Sequence, residues 1–328
     1  MTKTMAAPET TYFKKALTSF VKSAAKFDVV CSVRGSSTAA SPLVHPSRPR
    51  SQIHTLVVLD SSFNPPTVAH MQMATSAIQE LQRHHLSSSP YPISMRLLLL
   101  LSVNNADKAS KTAAFEQRLA LMLAMAKDVQ AVFKDTLATP PASTLDVPID
   151  IGLTSEPYFH SKSAAIAESS FYLRPDFASA PDSKPTPEQV FLVGYDTLIR
   201  IFHPKYYKAP EPPASIPHGL PEHATPMQIA LTPLMRRARL RVTTRPDDQW
   251  GNEEVQHSWL QTIDERGGAT ENWSSRIDLM SGTYKGASIV SSTTARTAAK
   301  EEEWEKLAEQ VGPSVAAWIK LQQLYVDA

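Results

Sequence analysis

Leu56-Val57-Val58-Leu59-Asp60-Ser61-Ser62-Phe63-Asn64-Pro65-Pro66-Thr67-Val68-Ala69-His70 runs from an apolar segment into a polar, proline-stiffened turn. Four consecutive apolar residues, 56–59, have the length and composition of a buried parallel strand. Beyond the turn, Met71, Ala74, Ala77, Ile78 and Leu81 recur at helical spacing. Strand, tight turn and helix together aim backbone N–H groups and the positive end of a helix at one point, where a phosphate is stabilised. Asn64 precedes Pro65 and is biased toward extended backbone, while the two prolines restrict the turn. Thr67 and His70 are three residues apart and share one face at the helix start.

Outward from this stretch, strand-like and helix-like segments alternate. The pattern predicts strands at 53–59, 93–103, 149–153, 190–193, 240–244 and 276–280, with residues 287–290 leading into a further motif. It predicts helices at 68–84, 112–134, 158–170 and 197–202, and two C-terminal helices at 294–310 and 313–326 divided by Gly312-Pro313. Such alternation implies an α/β fold, a doubly wound parallel sheet covered on both faces with right-handed crossovers. At the N-terminus, Phe13, Leu17, Phe20, Val21 and Ala24 lie at helical spacing and predict a helix docked on the domain. Residues 32–51 are rich in Ser, Pro and Arg and read as a linker. The expected organisation is therefore residues 1–51 as helix and linker, then one domain over 52–328 with proline-rich insertions near 171–189 and 209–226.

Composition narrows the function classes. The 328 residues carry a net charge of +1, so no global field recruits nucleic acid or an anionic membrane, and anion recognition must be local. One cysteine, Cys31, allows neither an intrachain disulfide nor a thiolate metal site, and suits a reducing compartment. The most apolar run, residues 97–101, is too short to cross a bilayer, and the N-terminus lacks the apolar core of a secretory signal. These features favour a soluble protein of cytoplasm or nucleus over a mitochondrial one.

Ser291-Ser292-Thr293-x-x-Arg296 is the second motif. As plain structure it is a Ser/Thr cap at a helix start. The same geometry, with free N–H groups, hydroxyl donors and a guanidinium, can grip the outer phosphates of a nucleoside triphosphate.

The string S-F-N-P-P-T-x-x-H over 62–70 resembles the T/HxxH phosphate-binding signature of nicotinamide mononucleotide adenylyltransferases in the nucleotidylyltransferase superfamily. S-S-T-x-x-R over 291–296 is similar to a second motif of the same family, and the fungal Pof-type branch is the nearest in character. The resemblance spans roughly residues 56–296. It implies a Rossmann-like domain that transfers AMP from ATP to nicotinamide mononucleotide, giving NAD and pyrophosphate. By the same resemblance His70, Thr67 and Arg296 are the catalytic residues, with His70 on the α-phosphate. Ser61, Ser62, Phe63 and Asn64 in the turn bind ATP, as do Ser292 and Thr293 beside the departing pyrophosphate. Gly194 and Asp196 of the Phe191–Asp196 segment match a strand-G-x-D element, Lys205-Tyr206-Tyr207 a K-Y-Y element, and Arg245 an arginine at a strand end. The loop after the second strand should supply a lysine to the phosphates, Lys108 or Lys111, and the next helix an arginine near its start. Arg236, Arg237, Arg239 and Arg241 read as a solvated basic face. No protein metal site is implied; Mg²⁺ should be held mainly by substrate phosphates.

Departures from the family pattern are Ser61 in place of a glycine, Thr67-Val68-Ala69-His70 for an HxGH form, and the long insertions. Alternative readings are transfer to nicotinate mononucleotide or pantetheine phosphate, a cytidylyl transfer, and an ATP-binding regulatory protein without transferase activity. ATP and a mononucleotide are the expected partners, with no nucleic acid and no membrane. Assembly as a homo-oligomer is left open by the sequence.

Overall fold

A computed structural model of the chain describes residues 7–35, 45–88, 93–104, 113–136, 147–173, 186–208, 216–244, 251–266, 272–282 and 290–326. Seven strands form one sheet: β1 (Phe27–Val33), β2 (Thr55–Asp60), β3 (Met95–Ser102), β4 (Ile149–Thr154), β5 (Glu188–Gly194), β6 (Ala238–Thr243) and β7 (Ile277–Met280). Their spatial order is β1-β4-β3-β2-β5-β6-β7. From β2 the chain winds outward through β3 and β4, then returns to lay β5 on the other side of β2 and continues to β6 and β7. The reversal between β2 and β5 is a topological switch point, where the two crossovers diverge and leave a crevice at the carboxyl ends of the strands.

β3 explains why the sheet is covered on both faces. Its run Leu97–Leu101 has no polar face to present to water. Leu97, Leu99 and Leu101 enter one core with Val57, Leu59 and Leu192, while Leu98 and Leu100 enter a second core with Leu56, Val58 and Phe191. The first core is closed by α1 (Pro8–Lys22), α2 (Val68–Ser88) and α3 (Phe115–Thr136), and the second by α4 (Phe159–Glu168), α5 (Tyr195–Ile201) and α6 (Pro226–Arg237). Then α7 (Glu253–Gln261) and α8 (Ile263–Arg266) join the second layer, and α9 (Ser292–Lys300), α10 (Trp304–Gln310) and α11 (Pro313–Gln322) the first. Each fully buried leucine contributes roughly 1.5–3 kcal/mol relative to exposure.

Several expectations are corrected. The sheet is not wholly parallel, because β1 runs antiparallel to β4 at the edge. It lies within the first 51 residues, read from sequence as helix and linker. A buried polar knot holds it there. Asp150 on β4 takes two hydrogen bonds from Arg96 on β3, at 2.7 and 2.6 Å, one from Ser32 on β1 at 2.6 Å and one from Tyr172 at 2.9 Å. The C-terminal helix expected at 294–310 is two. The end of α9 is a Schellman turn: Glu302 takes φ 55°, its N–H bonds the Ala299 carbonyl, and the Glu303 N–H bonds that of Ala298. No glycine marks that stop. Arg241 is not solvated, being buried on β6 with its guanidinium on Glu80 at 2.5 Å and on Ser76 at 3.1 Å. Among the described residues no helix is long and apolar enough to cross a membrane.

Candidate active site

The turn from Ser61 to Pro66 follows β2 at the switch point. Phe63 adopts φ 45°, a left-handed conformation unfavourable for a side chain bearing a Cβ. Its ring is buried in the first core and the residue as a whole has no exposed surface, so it anchors the turn from the inside. The turn keeps this shape because distant parts of the chain bind it. Arg118 donates to the Ser62 carbonyl at 3.2 Å, Arg296 to that of Asn64 at 2.7 Å, and Ser292 to that of Pro65 at 2.8 Å. The buried Asn64 side chain is not directed at a ligand: its Oδ1 accepts from the Ala113 N–H at 3.1 Å and the Tyr325 hydroxyl at 3.0 Å. Burial holds that hydroxyl well above the ordinary phenol range and so keeps it a donor.

His70, in the first turn of α2, is fixed from both sides. Its Nδ1 accepts the Thr67 backbone N–H at 3.1 Å, with the Thr67 hydroxyl 2.8 Å from the same nitrogen. An N–H donor on Nδ1 leaves the proton of the neutral ring on Nε2. That nitrogen lies 3.0 Å from Ser61 Oγ, at the cavity wall. Burial pushes the His70 pKa down to about 4, so at neutral pH the group is an uncharged N–H donor. Thr67 is buried and acts through this ring.

A cavity of about 370 Å³ opens at the carboxyl ends of β2, β3 and β5. Ser61, Ser62 and Asp196, all singled out in the sequence, line it together with Asp60, Ser102, Arg118, Lys162 and Arg200. Pro157, Tyr158, Phe159, Tyr206 and Tyr207 supply apolar and aromatic surface. The Tyr158 and His160 rings stack at 8° with centroids 5.7 Å apart, and His160 meets the Tyr207 ring at 5.5 Å. Gly194 makes room for Asp196, because a Cβ there would sit 2.8 Å from Asp196 Oδ1.

The second motif meets the first, though not as cavity wall. Ser291 caps α9 by accepting the Thr294 N–H at 3.0 Å. Ser292 and Arg296 brace the turn, and Arg296 also reaches Thr293 Oγ1 at 3.2 Å. The half-buried Arg296 and the exposed Thr293 remain open to a ligand from the turn's flank. Lys108, Lys111 and Arg245 lie outside the described residues. Sequence reasoning did not single out Lys162, which arrives from α4, a helix with no recognised motif. Its only signal was a lone cation in a segment of small and apolar residues, F-H-S-K-S-A-A-I-A-E.

No family model matches the chain. A protein of Schizosaccharomyces pombe named "Putative nicotinamide mononucleotide adenylyltransferase" is 30% identical over 278 residues, which cover 82% of this chain and 86% of that one. Among solved structures, Plasmodium falciparum nicotinic acid mononucleotide adenylyltransferase complexed with APC aligns over 83% of this chain and 97% of its own, at 12% identity and a TM-score of 0.39. Thermotoga maritima TmcAL bound with alpha-thio ATP aligns over 82% of this chain and 55% of its own, at 15% identity and a TM-score of 0.33. By its identity to the fission-yeast protein along most of both sequences, the chain belongs to the nicotinamide mononucleotide adenylyltransferase family of the nucleotidylyltransferase superfamily, and it is an enzyme.

Proposed function

We propose that the protein transfers the adenylyl group of ATP to nicotinamide mononucleotide, releasing pyrophosphate and forming NAD. The observation that carries this reading is the pairing of a braced phosphate-type turn at the switch point with a neutral His70 whose Nε2–H meets the hydroxyl of Ser61, a residue of the cavity wall. A donor there suits a phosphoryl group that gains charge as it is attacked. In the reaction, an oxygen of the acceptor's 5′-phosphate forms a bond to the α-phosphorus of ATP. The bond from α-phosphorus to the bridging oxygen breaks, and its electron pair leaves with pyrophosphate. No proton transfer and no covalent enzyme intermediate are needed, so the protein's work is positioning and charge stabilisation.

Roles follow from place. His70 donates to the α-phosphoryl oxygen, Thr67 holds the histidine's orientation, and Ser61 and Ser62 offer hydroxyls to neighbouring oxygens. Thr293 and Arg296, on the flank of the turn, suit the departing pyrophosphate. Asp196 suits a ribose hydroxyl or ordered water, and the tyrosines of the cavity suit the flat face of a base or pyridine ring. Among the described residues no group of three His, Cys, Asp or Glu side chains could hold a metal. Mg²⁺ would arrive on the triphosphate, and of the two carboxylates lining the cavity Asp196 is the one not paired with Lys162. Bound so, the ion would neutralise phosphate charge.

The test is NAD formation by purified protein from ATP, Mg²⁺ and nicotinamide mononucleotide, with nicotinate mononucleotide and pantetheine phosphate as competing acceptors. Fastest turnover with the nicotinamide compound supports the proposal. Preference for another acceptor reassigns the substrate. ATP binding without transfer to any of them leaves the regulatory reading.

A further inference from the structure

We propose that Lys162, held in place by Asp60, binds the 5′-phosphate of the acceptor mononucleotide. This rests on the adenylyl-transfer reading above and adds to it a residue that neither sequence motif contains.

Lys162 is the fourth residue of α4, and its ammonium lies 2.5 Å from Asp60 Oδ2. The two side chains are only 6% and 8% exposed, yet both line the cavity. Asp60 ends β2 and directly precedes Ser61, so the pair sits next to the phosphate-type turn. Among the described residues Asp60 is the acceptor that Lys162 contacts, and an ammonium has three donors. The Phe159 ring, its centroid 5.2 Å from Nζ, limits where the ammonium can swing. A buried ion pair of this kind is a poor device for stability, since desolvation offsets much of the attraction. Placed on a cavity wall, it is a good device for keeping a cation ready.

A second observation points to an anionic ligand. Arg118, 6% exposed, lines the same cavity and gives Nη1 to the Ser62 carbonyl. Its Nε is buried with no hydrogen-bond partner. A buried guanidinium N–H facing no acceptor is costly until a ligand supplies one. Lys162, on Asp60, and Arg118, on the Ser62 carbonyl, therefore bring two cations and one carboxylate to the cavity wall beside Ser61 and Ser62. Arg200 and Asp196 add one charge of each sign to the wall, and the cationic excess remains. A phosphate dianion fits this balance. On its arrival Lys162 would share its protons between Asp60 and the phosphate. That would hold the attacking oxygen and reduce its repulsion from the triphosphate.

The experiment uses the full chain with Asp60→Asn and Lys162→Met together, so that neither charge is left buried alone, beside Lys162→Arg and wild type. Unfolding midpoints establish that each variant folds. Steady-state KM is measured for nicotinamide mononucleotide and for ATP separately, and the mononucleotide is titrated by calorimetry, which reads affinity without turnover. The proposal expects the folded double variant to bind the mononucleotide about 10- to 100-fold more weakly, with ATP KM changed less than about threefold. Lys162→Arg should recover part of the loss. Equal mononucleotide affinity in wild type and folded double variant overturns it, as does a loss confined to ATP. Failure of the underlying reading is distinct: wild type itself would make no product from any acceptor. If wild type also binds no mononucleotide, both fall together.

Discussion

Replacing His70 with alanine removes one N–H donor whose position and protonation are both set by the fold. The Thr67 N–H on Nδ1 leaves Nε2 as the protonated nitrogen, and burial keeps the ring uncharged down to about pH 4. A preorganised donor aimed at developing charge is worth about 2.7–4 kcal/mol of transition-state stabilisation, so His70→Ala should lower kcat by about 10²–10³-fold. The loss should fall on kcat more than on KM, because the hydrogen bond strengthens as the α-phosphoryl group is attacked. Thr67→Val keeps the backbone N–H and removes only the hydroxyl, and should cost about tenfold or less. The assay is steady-state NAD formation from saturating ATP and mononucleotide, repeated between about pH 5.5 and 8, which spans the usual histidine range. A His70→Ala kcat within about threefold of wild type would refute the assignment. So would a wild-type rate that falls through the ordinary histidine pKa as pH rises, since a neutral donor loses nothing there.

Three other outcomes follow from the packing. The His70 pKa is lower in the folded chain, at about 4 against the usual 6.5, so the unfolded chain binds more protons between those values. Stability should be unaffected by this group above pH 6.5 and should decline as pH falls toward 4, by up to about 3 kcal/mol; denaturant midpoints of His70→Gln should show a shallower decline, and an identical one would count against the shift. A Cβ on Gly312 would lie 2.2 Å from Asp128 Oδ2 and 2.8 Å from Met71 Sδ, and Asp128 caps α11 at the Ser314 N–H. Gly312→Ala should therefore destabilise by about 2–4 kcal/mol, seen as a lower urea midpoint; an unchanged midpoint would contradict the clash. Asp150→Ala strands the Arg96 guanidinium, 2% exposed, and should cost about 3–5 kcal/mol. Changing Arg96→Met and Asp150→Leu together should cost clearly less, and a double variant as unstable as the single one would show that the charges are not the cause.

The strand, turn and helix over residues 55–88 were legible because hydrophobic period and turn chemistry are local properties of the chain. The same holds for β3, where length and flanking breakers resolve five leucines as a strand despite their helix propensity. Two further helices were legible and passed over. Thr225 and Gln228 form a capping box with Pro226 at the helix start, and Asn252 caps a helix opening on Glu253 and Glu254. The break after α9 was not legible, because Glu302 adopts the left-handed conformation that glycine or asparagine would have announced. β1 carried no turn signal that set it apart from the linker, and its place depends on Ser32 meeting Asp150, 118 residues away.

At the site, the chain by itself announced where the phosphate-type turn lies, and it determined the Thr67–His70 pair and the capped start of α9, which need only neighbours within a few residues. Tertiary structure alone decided that Arg296 and Ser292 grip the carbonyls of Asn64 and Pro65, across more than 200 residues of sequence. It also decided that Lys162 stands beside Asp60 and that burial makes His70 a neutral donor. The physical reason is that hydrophobic period and capping act over a turn or two of backbone. Desolvation and ion pairing depend on which side chains the sheet order brings together, and that order is a property of the whole chain.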